Sequence, residues 1–245
     1  MISIRTYRAI SEPETCEEYI RGHRKVLQDY GIESITSNTN LWAHNPNMYC
    51  FIATDENGDM VGGIRIQVAD GIHNLPVEDA VGKMDPRIHN LIKMYAAKGG
   101  VGELCGLWNS NKVKGRGISV ILVRAAISTI NQLHFKTLSG ICAGYSLRMF
   151  QNVGFVINHS LGDKGNFIYP NENYLAHVVG ILNGKTLNTA SSHDKERMMT
   201  LRELPIQRRI ETGPKGDIIV NYNLIAKDVN SIVFPKEYFN QVYAV

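Results

Sequence analysis

One stretch of the sequence, residues 101–133, restricts the fold more than any other. It begins as an apolar, strand-like run, passes through a short polar turn that contains Gly115 and Gly117, and continues as a helix that is apolar on nearly every face. A strand that leads into a helix in this way is typical of sheets whose strands alternate with helices. The turn also favours the binding of an anion, because free backbone N–H groups and the positive end of the helix dipole converge there.

The composition is that of an ordinary globular protein and limits the functions to be considered. The chain has 245 residues, of which 44% are hydrophobic and 20% charged, and its formal net charge is +3. That charge is compatible with an anionic ligand but too small to indicate a nucleic-acid-binding protein. No signal peptide or apolar run of membrane-spanning length is evident, and the four cysteines show no zinc spacing. We therefore expect a cytoplasmic protein with reduced cysteines, no metal site and no membrane contact.

The rest of the first 184 residues predicts further strands and helices in alternation. Asn57-Gly58, between two strand-like runs, is the strongest hairpin signal, because both positions of a type I′ turn require positive φ. Ser11 and Glu14 form a capping box that opens an amphipathic helix. This alternation predicts an α/β fold whose sheet mixes antiparallel and parallel strand pairs. The additional predicted strands are residues 2–8, 48–54, 60–68, 136–142, 155–158, 167–169 and 174–182, the helices are residues 12–30, 86–98 and 145–153, and residues 69–85 are irregular.

The last part of the chain is more polar, and we interpret it as an extension rather than a separate enzyme. The main domain is expected to cover residues 1–184. Residues 185–245 are expected to form a helix-plus-hairpin extension that packs on it. Within the extension we expect a helix at 191–204, a hairpin of strands 206–211 and 217–224, and an apolar segment, 234–245, that docks on the domain.

The glycine turn matches one known phosphate-binding pattern better than the others. It lacks the lysine and hydroxyl that follow the glycines of a P-loop, and the third glycine of a dinucleotide-binding turn. Lys112, Gly115 and Gly117 before a helix resemble the segment with which the GNAT family of N-acetyltransferases binds the pyrophosphate of CoA. That family has Gln or Arg where this chain has Lys112. Lysine keeps the positive charge of arginine but lacks its planar guanidinium, which can donate two parallel hydrogen bonds. A glycine turn that serves only tight packing is the alternative.

A second segment supports the same resemblance. Residues 149–155 resemble the family's later run of an aromatic residue followed by Gly-Phe, and a helix and a strand separate the two segments, as in the family. The resemblance covers about residues 1–182. It implies the acyl-CoA N-acyltransferase fold, with a central mixed sheet flanked by helices.

The resemblance also implies which residues take part in acyl transfer. A splayed strand at Gly106 would offer backbone groups to the thioester. Glu103, an ionisable residue in an apolar strand, is the candidate general base, and a strand-end carboxylate paired with a cation is the alternative. The family often has a tyrosine that acts as the general acid at the position of Phe150. Tyr145 is therefore the candidate acid in this chain, and the alternative is that Tyr145 is a buried core residue. The candidate donor-binding residues are Gly106, Leu107, Trp108, Lys112, Val113, Lys114, Gly115, Arg116, Gly117 and Ile118.

The sequence therefore leads to the hypothesis of an N-acyltransferase. It would use acetyl-CoA or another acyl-CoA to acylate a primary amine of a small molecule or peptide by direct attack, and a homodimer is left open. An acyl-enzyme route through Cys105 or Cys142 is disfavoured because neither has a sequence-adjacent base.

Three other functions are weighed against this hypothesis. A non-catalytic member of the fold would bind a CoA ester or a partner protein. Residues 19–30, followed by the hairpin with Arg65 on its second strand, resemble the acyl-homoserine lactone and long-chain N-acyl amino acid synthases, which take acyl chains from carrier protein. Their arginine two or three residues after the strand glutamate is absent here. Nucleic-acid binding would rest on a local basic cluster alone. That cluster is Arg202, Arg208, Arg209 and Lys215.

Overall fold

Ten strands form one mixed sheet in the part of the chain that the computed structural model describes, residues 1–32 and 40–236. Apolar and β-branched residues dominate the central strands, which are buried on both faces. The strands are β1 (Ile2–Arg8), β2 (Met48–Thr54), β3 (Met60–Val68), β4 (Val101–Asn109), β5 (Thr137–Ala143), β6 (Val156–Ile157), β7 (Asn166–Ile168), β8 (Leu175–Ile181), β9 (Ile206–Gly213) and β10 (Gly216–Asn223). Their order is β6-β8-β5-β4-β3-β2-β1-β10-β9, with β7 also paired to β8.

Helices cover both faces of this sheet. They are α1 (Pro13–Asp29), α2 (Pro76–Val81), α3 (Arg87–Ala97), α4 (Ile118–Ser128), α5 (Gly144–Asn152) and α6 (Ser192–Glu203). Successive residues of β2 alternate between two clusters of buried side chains, one around α4 and one around α1, so these two helices lie on opposite faces. No helix among the described residues is both long and apolar enough to cross a bilayer. The predicted α/β fold with a mixed sheet flanked by helices is confirmed.

Local sequence signals located several elements correctly. The β2–β3 hairpin turns through Asn57-Gly58 as predicted, but the turn is not of type I′, because Gly58 has a positive φ of +86° and Asn57 does not. Gly154, at φ +109°, follows the end of α5. The capping box of Ser11 and Glu14 is wrong. Residues 9–11 form a short 3-10 turn, and α1 begins at Pro13, whose fixed φ suits the first helical position.

Helix α2 lies in the segment predicted to be irregular. With six residues it is too short to show a helical repeat, although Pro76 at its start and a glutamate in its first turn are typical helix-opening residues. The carboxylate of Glu78 accepts a hydrogen bond from the Leu75 N–H at 2.8 Å. The N–H of Val77 points instead at β4, where it donates to Glu103. This short helix therefore positions a candidate catalytic residue.

The hairpin of the extension continues the main sheet. β10 pairs in parallel with β1, from Ile2 opposite Val220 to Arg5 opposite Asn223, and β9 forms the edge. The hairpin is longer than predicted, since β9 and β10 extend to Gly213 and Gly216. The division of the chain at residue 184 stays a prediction. The predicted docking of residues 234–245 falls mostly on residues 237–245, which lie outside the described part of the chain.

Candidate active site

A cleft opens where two central parallel strands separate. β4 and β5 pair only from Val101 opposite Thr137 to Glu103 opposite Ser139, although both strands continue beyond this point. The divergence leaves a cavity of about 460 Å³ between them, which α1, α5 and the loop before β8 also line. On the β5 side, the later residues of β4 have no ladder partner, so their backbone groups are available to a ligand.

A β-bulge deforms β4 inside the cleft. Gly106 and Leu107 together lie opposite the single residue Ile64 of β3, and Gly106 has a φ of +63°. A Cβ at position 106 would lie 2.8 Å from the Arg65 guanidinium, and the Tyr19 hydroxyl donates to the Gly106 carbonyl. The splayed strand expected at Gly106 is thus confirmed. Because Tyr19 occupies this carbonyl, the bulge is held in one conformation.

Glu103 lies at the point where the strands diverge, and its side chain is fully buried. Its Oε2 accepts from the Val77 N–H at 2.7 Å, whereas its Oε1 has no hydrogen-bond partner. Burial raises the pKa of Glu103 from 4.5 to about 8, and the nearby charges of Glu78 and Asp79 add to the rise. The alternative of a strand-end carboxylate paired with a cation is wrong, since Glu103 is central and forms no ion pair among the described residues.

Tyrosine side chains surround the mouth of the cleft. Tyr145, in the first turn of α5, is 80% exposed, so its alternative role as a buried core residue is wrong. The Tyr174 hydroxyl donates to the Tyr30 carbonyl at 3.1 Å, and both residues line the cleft with Tyr145. Phe150 is buried and stacks edge to face on Phe155. The phenol of Tyr145 is therefore available at the mouth, while the position of Phe150 carries no proton donor.

Two thiols and a histidine also line the cleft but carry no charge near neutral pH. Burial raises the pKa of both Cys105 and Cys142 to about 12, which keeps them as thiols and argues against an acyl-enzyme. Burial, together with the charge of Arg65, lowers the pKa of His23 to about 3, so its imidazole is neutral. Sequence reasoning missed His23, because its position on the apolar face of α1 is indistinguishable from a packing position.

The predicted phosphate loop lies at one end of this cleft. Gly115 and Gly117 have φ values of +81° and +76°, and Gly117 directly precedes α4. The first N–H groups of this helix have no intrahelical acceptor and lie at the positive end of its dipole. Asn109 and Ser119 line the cleft beside the loop, and the Ser119 hydroxyl donates to the Asn109 side chain. The loop therefore adjoins the cleft at Asn109 and Ser119.

The side chains of the loop divide into buried anchors and exposed cations. Val113 and Ile118 are buried, so only their backbone could contact a ligand. Lys114 and Arg116 are exposed. Lys112 Nζ lies 2.9 Å from Asp59 Oδ2 in the β2–β3 turn, so this cation is already paired.

The predicted residues of the catalytic centre thus come together in one cleft. Those that line it are Glu103, Gly106, Leu107, Trp108 and Tyr145. The indole of Trp108 is only 4% exposed and packs edge to face on Tyr19, so the ring belongs to the core. The predicted loop residues, from Lys112 to Ile118, do not line the cavity; they lie just beyond the end of it that Ser119 lines.

A second cavity, of about 680 Å³, adjoins the first, and Pro76 lines both. Its walls include Trp42, His73 and Asp79, and Arg65 lies at its base. The Arg65 guanidinium is almost fully buried and stacks 4.0 Å from the centre of the Trp42 ring. The cavity therefore combines apolar and polar walls and carries charges of both signs, on Arg65 and Asp79.

Comparisons with known proteins agree with this architecture. A sequence model of the acetyltransferase (GNAT) family matches residues 12–155. A search of curated protein sequences found no significant match.

Several solved structures share the fold. FeeM, an N-acyl amino acid synthase from uncultured soil microbes, aligns with a TM-score of 0.59 and 14% identity over 80% of this chain and 98% of its own. BjaI, a CoA-dependent acyl-homoserine lactone synthase, aligns with a TM-score of 0.51 and 12% identity over 84% of this chain and 91% of its own. An acyl-CoA N-acyltransferase from Pseudomonas aeruginosa aligns with a TM-score of 0.52 and 10% identity over 74% of this chain and 99% of its own. At these identities the likeness concerns the fold alone.

Proposed function

Because the chain belongs to the acetyltransferase (GNAT) family, we propose that it is an N-acyltransferase that moves an acetyl or other acyl group from acyl-CoA to a primary amine. One observation carries the proposal. A buried carboxyl group, Glu103, whose pKa is raised to about 8, lies beside a β-bulge where two parallel strands separate. In its ionised form such a group is a stronger base than an ordinary carboxylate, and this form becomes the major one as the pH rises through about 8. The separated strands leave room for a thioester next to it.

The proposed reaction is direct attack of the amine on the thioester. The nitrogen lone pair forms a C–N bond with the carbonyl carbon, and the C–S bond then breaks. Glu103 takes the proton that the nitrogen loses. The backbone N–H groups at Gly106 and Leu107 stabilise the negative oxygen of the intermediate. The departing thiolate receives a proton from the exposed phenol of Tyr145. No covalent enzyme intermediate is needed, which agrees with the high pKa of the cleft thiols.

We propose that the donor and the acceptor occupy the two adjoining cavities. The CoA pyrophosphate would lie on loop 112–117, and the pantetheine would follow the cleft past Ser119 toward Glu103. The acceptor amine would approach from the second cavity, whose wall at Pro76 immediately precedes the residue that holds Glu103. Two cavities that meet at Pro76, the first of which is lined by Glu103, support a ternary complex.

A second candidate function is a long-chain N-acyl amino acid synthase-like activity that takes its donor from acyl carrier protein. The observation in its favour is the cleft itself, whose walls include the apolar side chains of Ile141, Met149 and Phe150 and have room for an acyl chain. FeeM, which shares the fold, is an N-acyl amino acid synthase. A non-catalytic protein that binds a CoA ester is the third candidate.

A binding measurement and a turnover measurement separate these candidates. Thermal unfolding with CoA, acetyl-CoA and ATP tests the donor, since a ligand at ~100 times its Kd adds about 2.7 kcal/mol of stability. Stabilisation by ATP but by no CoA ester would contradict the proposal. Release of free thiol is then measured with acyl-CoA esters of increasing chain length and a panel of amines. A protein that binds CoA without releasing thiol from any pair would be a binder, and turnover only with acylated carrier protein would favour the second candidate.

A further inference from the structure

The turn of the C-terminal hairpin lies against the proposed phosphate loop. The hairpin turn, defined here as residues 212–216, joins β9 to β10, about a hundred residues after the loop in the sequence. The Lys215 N–H donates to the Gly115 carbonyl at 2.9 Å. The turn is therefore a direct neighbour of the loop and not merely part of the same sheet.

Glycines on both sides allow this contact. A Cβ at Gly213 would lie 2.5 Å from the carbonyl carbon of Arg116 and 3.0 Å from the backbone nitrogen of Gly117. A Cβ at Gly115 would lie 2.9 to 3.0 Å from the aliphatic carbons of the Lys215 side chain. Any side chain at Gly213 would thus displace the loop backbone, because backbone atoms cannot rotate away as a flexible side chain can.

The hairpin and the helix that follows the loop are also joined in the core. The Arg124 guanidinium, on α4, lies 2.7 Å from Asp194 Oδ1 on α6 and 3.3 Å from Glu211 Oε2 on β9. Glu211 Oε1 in turn accepts from the Tyr222 hydroxyl on β10 at 2.9 Å. These groups are all buried, so hairpin, α6 and α4 are held in one arrangement. The hairpin and the helix after the loop are therefore held in a fixed relation, which also fixes the contact between Lys215 and Gly115.

The turn changes the charge available at the loop. Lys112, the first cation of the loop, is paired with Asp59, and two members of the basic cluster of the extension are also engaged. Arg202 donates to the Lys185 carbonyl at 2.7 Å, and Arg209 pairs with Glu211. Lys215 instead extends along Gly115 with its side chain exposed.

We propose that the hairpin turn is part of the donor-phosphate site, where it holds loop 112–117 in place and contributes the ammonium group of Lys215 to the phosphates. This assigns to the extension a binding role in the acyltransferase. It rests on the proposed function, because the phosphates are those of CoA.

Isothermal titration calorimetry with CoA and with pantetheine, which has no phosphate, tests the assignment on the full chain. Lys215→Met should weaken CoA binding about three- to tenfold and leave pantetheine binding unchanged, and Lys215→Arg should restore most of the loss. The matched control is Lys227→Met, which removes an exposed lysine beyond β10. Gly213→Ala should weaken CoA binding more than tenfold, because it displaces the loop.

The outcomes distinguish this assignment from the proposed function. If the wild-type protein binds no CoA, the proposed function itself fails. If the wild type binds CoA and Lys215→Met binds it as tightly as Lys227→Met does, the assignment of Lys215 is overturned while the proposed function stands. Tighter CoA binding by Lys215→Met or Gly213→Ala would also overturn it, since the turn would then obstruct the loop. Should Gly213→Ala fail to fold, as judged by thermal unfolding, the Lys215 variants still decide.

Discussion

Replacement of Glu103 by glutamine should make the protein more stable at high pH, although it removes the proposed base. The folded-state pKa of about 8 lies above the unfolded value of 4.5, so between these values the folded chain binds a proton that the unfolded chain lacks. The contribution of the protonated carboxyl is fully present below pH 4.5 and is lost as pH rises through 8. Glutamine cannot ionise and avoids this loss, and it still offers an acceptor to the Val77 N–H.

The magnitude follows from the size of the pKa change. At about 1.4 kcal/mol for each pH unit, the interval from 4.5 to about 8 corresponds to about 5 kcal/mol as an upper limit. About 3 kcal/mol of this falls between pH 5.5 and 8. Entry of water beside Glu103 Oε1, which has no hydrogen-bond partner, would reduce this free-energy difference. The charges of Glu78 and Asp79 increase it.

Urea unfolding of the wild type and of Glu103→Gln at pH 5.5, 7 and 9 measures this difference. We expect the stability of the variant, relative to the wild type, to increase steadily with pH up to about 8 and then to level off. Glu203→Gln, which removes an exposed carboxylate at the end of α6, should show no such trend. A stability difference that stays constant from pH 5.5 to 9 would refute the reasoning, since it would mean that Glu103 ionises in the folded protein as it does in water.

Three further changes test the site and its supports. Glu103→Gln should also lower thiol release at least a hundredfold with CoA binding retained, and unchanged turnover would remove Glu103 as the base. Tyr145→Phe should lower kcat about tenfold or more and leave thermal stability unchanged, because the phenol is exposed; an unaltered kcat would exclude it as the acid. Tyr19→Phe should destabilise the fold by about 1 kcal/mol in urea unfolding and lower kcat, since the Gly106 carbonyl loses its donor. Arg124→Met should cost about 3 to 5 kcal/mol, because the buried carboxylate of Asp194 loses its cation and that of Glu211 keeps only Arg209, whereas replacing the exposed Arg21 should cost almost nothing.

Much of the fold could be predicted from the sequence because the deciding signals are local. The β2–β3 hairpin follows from Asn57-Gly58, and the strand, glycine turn and helix of residues 101–133 follow from their apolar pattern and from two glycines at positive φ. One short helix, α2, escaped prediction. Helix α2 spans six residues, which is less than the two turns over which a helical repeat becomes visible.

The environment of each candidate side chain could not be predicted in the same way. Both Glu103 and Tyr145 were selected from the sequence, but the sequence did not show which is buried and which exposed. Glu103 is enclosed because α2 packs over β4, and Tyr145 is exposed because α5 begins at the mouth of the cleft. These properties depend on how separate elements pack, and the alternating or helical pattern within one element carries no record of it.

By itself, the sequence determined which segments become strands and helices along most of the chain, where the glycine loop lies, and which acidic residue occupies the apolar strand. These follow from backbone geometry and side-chain periodicity over a few residues. Only the tertiary structure decided that the Val77 N–H reaches Glu103 and that Lys215 meets Gly115, about a hundred residues earlier in the chain. Such contacts arise from the packing of α2 over β4 and from the parallel pairing of β1 with β10, both of which join parts of the chain that share no local signal.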